Sequence, residues 1–142
     1  VKLILSIFLL ASFLEASDDS ARILRAIALV ESGADLRTVG DGGLALGAWQ
    51  IHAQAWEDAN AFREAMGLPK LSRSRWREAG VQEGVAKALF SVLAARLQRV
   101  GVRSPTPGQI ALCWNCGFAG AQARGFRLNP YARRVEGLVK TF

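Results

Sequence analysis

The sequence predicts an all-α domain, α+β at most. Three observations lead there. Five segments repeat apolar residues at helical spacing, and residues that start or stop helices flank them. No stretch alternates apolar and polar residues as a half-buried strand would. The one long region without a helical period, residues 34–51, is Gly-rich and has room for no more than a small irregular or hairpin element.

Each element follows in order. Asp18-Asp19-Ser20 offers caps and negative charge for a first helix. It places Ile23, Ile27, Val30 and Glu31 near one face, with Leu24 and Ala28 beside them, and Gly33 stops it. A second helix covers Ala53 to Met66, with Trp56, Ala59 and Phe62 at helical spacing and Gly67 and Pro69 as its end. Ser72 to Trp76 reads as a linker or short turn. The longest helix runs from Val81 to Val100 and repeats Val85, Leu89, Val92, Leu93 and Arg96 before Gly101. Thr106 then Pro107 mark a further start, cap then first turn, for a helix that carries IALCWNC to Gly117. A last helix starts at Asn129-Pro130 and runs through YARRVEGLVK. No internal repeat interrupts this order. Trp56, Phe62, Leu89 and Leu93 are expected in the core.

The bulk numbers bound the rest. The chain has 142 residues, enough for one domain with a core. Hydrophobic residues make up 51% and no low-complexity run occurs, which excludes a disordered chain. The net charge of +6 points to an anionic partner: nucleic acid, a membrane surface or an acidic polymer such as a cell wall. Lys and Arg are scattered, and the densest cluster, RSRWR at Arg73–Arg77, reads as a solvated basic surface rather than a nucleic-acid face.

Residues 1–17 are expected to be a secretory signal peptide, and 18–142 the folded domain. Lys2 precedes an apolar run from Leu3 to Leu14, and small residues follow at Ala16 and Ser17. The run is shorter than the roughly 20 residues that span a bilayer, so a membrane anchor is the weaker alternative. Removal of Lys2 and Glu15 leaves the net charge unchanged. An exported protein, periplasmic or extracellular, with that charge favours cell wall over nucleic acid and implies no stable membrane insertion.

VESGADLRTVGDGGLALGAWQIH, Val30 to His52, carries the chemistry. Glu31 lies four residues after Ile27 and so falls on or beside the buried face. A Glu at a helix end usually reaches water. Here a loop follows in which Gly40, Gly42, Gly43 and Gly47 permit sharp turns and close approach of a ligand. Trp49 and Gln50 then supply a flat apolar surface and a two-way hydrogen-bonding amide. A sugar ring shows an apolar face and a rim of hydroxyls that suit both. A partly desolvated Glu holds its proton to higher pH and can pass it to a leaving oxygen.

Four stretches in order resemble the soluble lytic transglycosylase and goose-type lysozyme family: Glu31-Ser32, Gly47-Ala48-Trp49-Gln50-Ile51, Ala111-Leu112-Cys113-Trp114-Asn115-Cys116-Gly117 and Tyr131-Ala132-Arg133-Arg134-Val135. The resemblance covers about residues 20–138. It implies a lysozyme-like α fold with a glycan-binding cleft, and cleavage of the β-1,4 bond between N-acetylmuramic acid and N-acetylglucosamine in peptidoglycan. Glu31 matches the catalytic acid. Gln50 and Asn115 match residues that line the cleft, and Ser32, Trp49, Trp114 and Tyr131 fall at further positions of the substrate-binding motifs. A packed helix-start Tyr is nearly as good a reading of Tyr131. The chain departs from the family's pattern where Trp49 replaces Met, Trp114 replaces Tyr, and Cys113 and Cys116 replace Ala.

A hydrolase needs a second group to activate water, whereas a lytic transglycosylase lets the muramic acid's own group attack and leaves a 1,6-anhydro end. Asp41, in Gly40-Asp41, resembles an aspartate of goose-type lysozymes held to position water. By composition alone, Asp before Gly-Gly is more simply a turn residue. Asp35 reads as an ordinary loop residue. A second acid of those enzymes is His52 here, expected as a polar residue at the cleft edge. The expected activity is therefore a lytic transglycosylase acting on peptidoglycan glycan strands, with a hydrolytic muramidase using Asp41 as the alternative. A non-catalytic wall-binding module on the same fold is the reading from another class.

No cofactor and no metal site is expected. One CxxC and one His cannot complete a four-ligand zinc site, and Cys113-x-x-Cys116 lacks the βαβ setting of a redox motif. Two small buried thiols are the simpler reading, with a disulfide next.

Overall fold

The computed structural model describes residues 17–142, so the expected signal peptide, apart from its last residue Ser17, lies outside the described residues. Helix α1 spans Ser17–Ser32, with Asp18 and Asp19 in its first turn, where acids favour the positive end of the helix dipole. Ile23, Leu24, Ala26, Ile27 and Ala28 are buried. The chain then bends sharply. Gly33 and Ala34 both take left-handed backbone angles, and their N–H groups return to the Leu29 and Ala28 carbonyls at 3.0 and 2.9 Å.

The Gly-rich region contains the small hairpin for which the sequence left room. Strands β1 (Val39–Gly40) and β2 (Ala45–Leu46) pair antiparallel, Val39 opposite Leu46, around a 3-10 turn at Asp41–Gly43. A second reversal follows at once. Leu46 and Ile51 exchange both backbone hydrogen bonds, at 3.3 and 3.1 Å, across Gly47-Ala48-Trp49-Gln50. Gly47 stands at φ +79, and a Cβ there would run into the Gln82 amide. Backbone sign and space therefore both select glycine.

Helix α2 (Ala53–Ala65) buries Trp56 and Ala59, with Phe62 partly buried against the core. Its Asn60 side chain takes the N–H and the carbonyl of Leu71, at 2.8 and 3.0 Å, and fixes the segment after Pro69. A 3-10 turn at Arg73–Arg75 leads to helix α3 (Ala79–Arg99), the longest. The turn expected at Ser72–Trp76 is present, and α3 starts two residues before Val81. In the RSRWR cluster Arg75 pairs with Glu78, Arg77 lies over the Trp76 ring, and Arg73 donates to the Leu44 carbonyl. Arg96, on the α3 period, hydrogen-bonds Asp58 of α2 at 3.0 Å.

Helix α4 (Pro107–Cys116) starts with a full capping box: Thr106 accepts from the Gln109 N–H, and the Gln109 side chain accepts from the Thr106 N–H. Helix α5 (Phe118–Ala123) fills a stretch that the sequence left unassigned. It is too short to be stable alone. Ala121 is fully buried and Phe118 meets Phe126 at a 5.9 Å ring separation, so packing holds it. Helix α6 (Pro130–Val139) is capped by Asn129, whose side chain accepts from the Ala132 N–H at 2.8 Å.

α4 packs chiefly on α6, α6 on α1, and α2 on α3, with α3 bridging to α1 and α4. Ile27, Val85, Leu97, Ile110, Leu112 and Val135 meet where these layers converge. Trp56, Leu89 and Leu93 are buried as expected. Among the described residues no helix is long and apolar enough to cross a membrane.

Candidate active site

Glu31 ends the apolar face of α1, one residue before the helix stops. Its carboxylate is half-buried and accepts a 2.7 Å hydrogen bond from the Tyr131 hydroxyl on the first turn of α6. Burial raises the Glu31 pKa above the usual carboxylate range. The Tyr131 hydrogen bond opposes this because it favours the charged form. The Asp41 charge pushes the pKa up and His52 pulls it down, both more weakly. Tyr131 is itself driven far above its ordinary range by burial and by Glu31, so its hydroxyl stays protonated and donates.

The sign of this opposition makes a prediction. Tyr131→Phe removes the hydrogen bond that favours the ionised carboxylate and should raise the Glu31 pKa further. NMR titration of the Glu31 carboxyl checks it; a downward movement would contradict the assignment of Tyr131 as donor.

Four sequence stretches that lie far apart in the chain close into a ring of hydrogen bonds. Tyr131 reaches Glu31. Ser32, next to Glu31, donates to the Ala48 carbonyl at 2.8 Å. The Trp114 indole N–H on α4 donates to the Trp49 carbonyl at 3.1 Å. Asn115 accepts from Asn129, the α6 cap, at 3.0 Å. The Trp49 indole N–H also returns to the Leu24 carbonyl of α1 at 2.8 Å. Five of the predicted site residues, Glu31, Ser32, Trp49, Trp114 and Tyr131, are thus held together half-buried, with Asn115 exposed beside them.

Gln50 serves the loop more than open space. At φ +48 it closes the second reversal. Its side-chain amide donates to the Thr38 and Gly47 carbonyls, at 3.2 and 2.8 Å. Asp41 opens the 3-10 turn, as its composition suggests, and its carboxylate faces His52 Nε2 at 2.8 Å. Both are exposed, and His52 stands at the N-cap of α2. Asp35 is occupied by Arg37, whose backbone N–H it accepts at 2.9 Å.

Sequence reasoning missed Gln82. It is 2% exposed, on the buried face of α3. Its amide donates to the Leu36 and Trp76 carbonyls, both at 2.7 Å, and accepts from the Ala48 N–H at 2.9 Å. One side chain thus ties the Glu31 loop, the 3-10 turn and α3 together. The available signal was a Gln at an apolar position, between Val81 and Val85. The Asn115–Asn129 link was also missed, since it joins residues of two helices through their side chains alone.

Cys113 and Cys116 are free. Burial pushes the Cys113 thiol up to about 11, and a protonated thiol is a poor nucleophile. Cys113 should resist iodoacetamide at neutral pH until the protein unfolds, as read by peptide mass spectrometry that separates it from the partly buried Cys116; rapid alkylation at Cys113 in the native chain would contradict its burial. Among the described residues no group of three or more His, Cys, Asp or Glu side chains is arranged to hold a metal ion.

What fold and site define together is a mostly helical domain that holds one desolvated carboxyl against a tyrosine hydroxyl. No family model, curated protein or solved structure matches the chain.

Proposed function

We propose that this chain cleaves the glycan strands of peptidoglycan, with Glu31 as general acid and then base, in the manner of a lytic transglycosylase on a lysozyme-like fold. One observation carries the reading: a half-buried Glu31 of raised pKa lies 2.7 Å from a hydroxyl that stays protonated. Such a carboxyl keeps its proton to higher pH than a free one and can give it to the leaving O4 as the glycosidic bond breaks. The resulting carboxylate, stabilised by the Tyr131 hydrogen bond, then takes the proton from the muramic acid O6 as that oxygen closes on C1. Protons balance with no water consumed, and the product ends in a 1,6-anhydro ring.

The ring of contacts among the four family-like stretches supports the same reading. Trp49 and Trp114 offer apolar surface for sugar faces, and the exposed Asn115 borders it with a hydrogen-bonding group, while Ser32 and Gln50 hold the loop in place. Export of the chain through its first 17 residues would bring it to the wall.

One observation favours a hydrolytic muramidase as the second reading: Asp41 lies near enough to Glu31 to push its pKa up. A non-catalytic wall-binding module is the reading from another class. Incubation of the domain with purified sacculi separates them from it. Release of soluble muropeptides is expected, and binding without release would overturn the enzymatic reading.

A further inference from the structure

α4 ends in a pair of thiols that the proposed chemistry leaves unused. Cys113 is 2% exposed and sits in the core, and Cys116, the last residue of the helix, is half-buried. Residues three apart on a helix are neighbours on one face, and Cys116 is near enough to push the Cys113 thiol further up. Helix rise and radius put their Cα atoms about 5 Å apart, inside the range of roughly 4.4–6.8 Å that disulfides use. Cβ spacing is the obstacle. Helical neighbours hold their Cβ atoms about 5–6 Å apart and a disulfide needs roughly 3.5–4.5 Å, so the bond forms only if one end moves by roughly 1–2 Å.

The end that moves is Cys116. Core packing fixes Cys113, whereas α4 stops at Cys116 and Gly117 leaves the helix at φ +76. The Cys116 thiol donates to the Leu112 carbonyl at 3.1 Å and would have to leave it. Trp114 and Asn115 are enclosed between the two thiols. Both also join α4 to the site, through the Trp114–Trp49 bond at 3.1 Å and the Asn115–Asn129 bond at 3.0 Å. A shift of the last turn by an ångström or more is enough to break hydrogen bonds of that length.

We propose that Cys113 and Cys116 are a reversible disulfide site that controls the α4 side of the candidate site. As dithiols they leave the last turn intact, and Trp114 and Asn115 keep their links. As a disulfide they draw Cys116 inward and open both links. The oxidant is a small-molecule disulfide. The Cys116 sulfur, the one nearer solvent, attacks as thiolate, and the first thiolate of the reagent leaves. The Cys113 sulfur then gives its proton to water, attacks the Cys116 sulfur and expels the second. The protein thiols lose two electrons and two protons in all, and the reagent departs as two thiols. A buried, protonated Cys113 makes the second step slow, and the distortion of the last turn makes the bond easy to reduce. None of this depends on the cleavage reading, because it concerns the redox state of the fold and not the substrate.

The purified chain is equilibrated with reduced and oxidised glutathione in varied ratio, quenched with acid, and alkylated in denaturant. Mass spectrometry of the peptide holding both cysteines should show it unalkylated and two hydrogens lighter at oxidising ratios, and doubly alkylated after dithiothreitol. Amide exchange in residues 113–117 and at Ala132, whose N–H Asn129 caps, should quicken about tenfold in the oxidised chain and return on reduction. Cys116→Ser nearly keeps the size of the side chain and should show neither the bond nor the redox-dependent exchange. Cys113→Ala should behave alike. Two free thiols at every ratio would overturn the proposal. So would a glutathione adduct that stays on Cys116, a bond between two chains, a disulfide that leaves exchange unchanged, or redox-dependent exchange in either variant.

Discussion

Glu31→Gln should abolish glycan cleavage while the chain stays folded and still holds peptidoglycan. The amide keeps the shape of the carboxyl and can still accept the Tyr131 hydrogen bond, but its N–H protons are too weakly acidic to be given to a leaving oxygen. General acid–base groups contribute roughly 10²–10⁴ in rate, and here the same group acts in both steps, so activity should fall by at least the upper end of that range. The variant should also gain stability. Burial holds the folded pKa of Glu31 above the ordinary carboxylate range of the unfolded chain. Its contribution to stability is present below that range and lost as pH rises through the folded pKa, because burial penalises the charged form. Gln has no such loss. Thermal unfolding should therefore show Glu31→Gln more stable than wild type at neutral pH, with the gap closing toward acid. An unchanged cleavage rate would remove Glu31 from the chemistry, and equal stability at neutral pH would contradict its desolvation.

Gln82→Glu should destabilise the domain severely without touching any residue of the proposed chemistry. The replacement conserves volume but faces the Leu36 and Trp76 carbonyls with oxygen where an NH₂ donated at 2.7 Å. Two buried carbonyls lose their donor and a charge enters the core. Gln82→Ala leaves those carbonyls and the Ala48 N–H without partners, at a cost of about 2–4 kcal/mol. The glutamate variant should cost at least as much at neutral pH. Amide exchange should quicken first in residues 36–51, the loop Gln82 ties down. Urea unfolding that matches wild type would show that the three hydrogen bonds contribute nothing.

These effects show how far the sequence could be read. Ile27 at one turn's distance was enough to place Glu31 beside the buried face. Thr106-Pro107 and Asn129-Pro130 mark true helix starts because capping is a local interaction, settled within four residues. The reversal at residues 34–51 was legible as a break in helical period, but its strands are two residues long and have too few side chains to show alternation. Helix α5 left no signal, since packing of Phe118 on Phe126, not its own periodicity, holds it. The links that build the site are non-local. Tyr131 reaches Glu31 across 100 positions, Trp114 reaches Trp49 across 65, and Gln82 reaches Leu36 across 46. Spacing within a helix says nothing about such pairs. A polar residue on an apolar face, as Gln82 is, marks only that some partner exists.

The central claim is that Glu31 alone moves the proton in both directions, so that water takes no part in bond cleavage. Mass spectrometry of the muropeptides released from purified peptidoglycan tests it most directly. The account predicts fragments ending in 1,6-anhydro-muramic acid, each one water lighter than a hydrolytic product. Fragments with reducing ends would contradict it and favour Asp41 as the group that activates water.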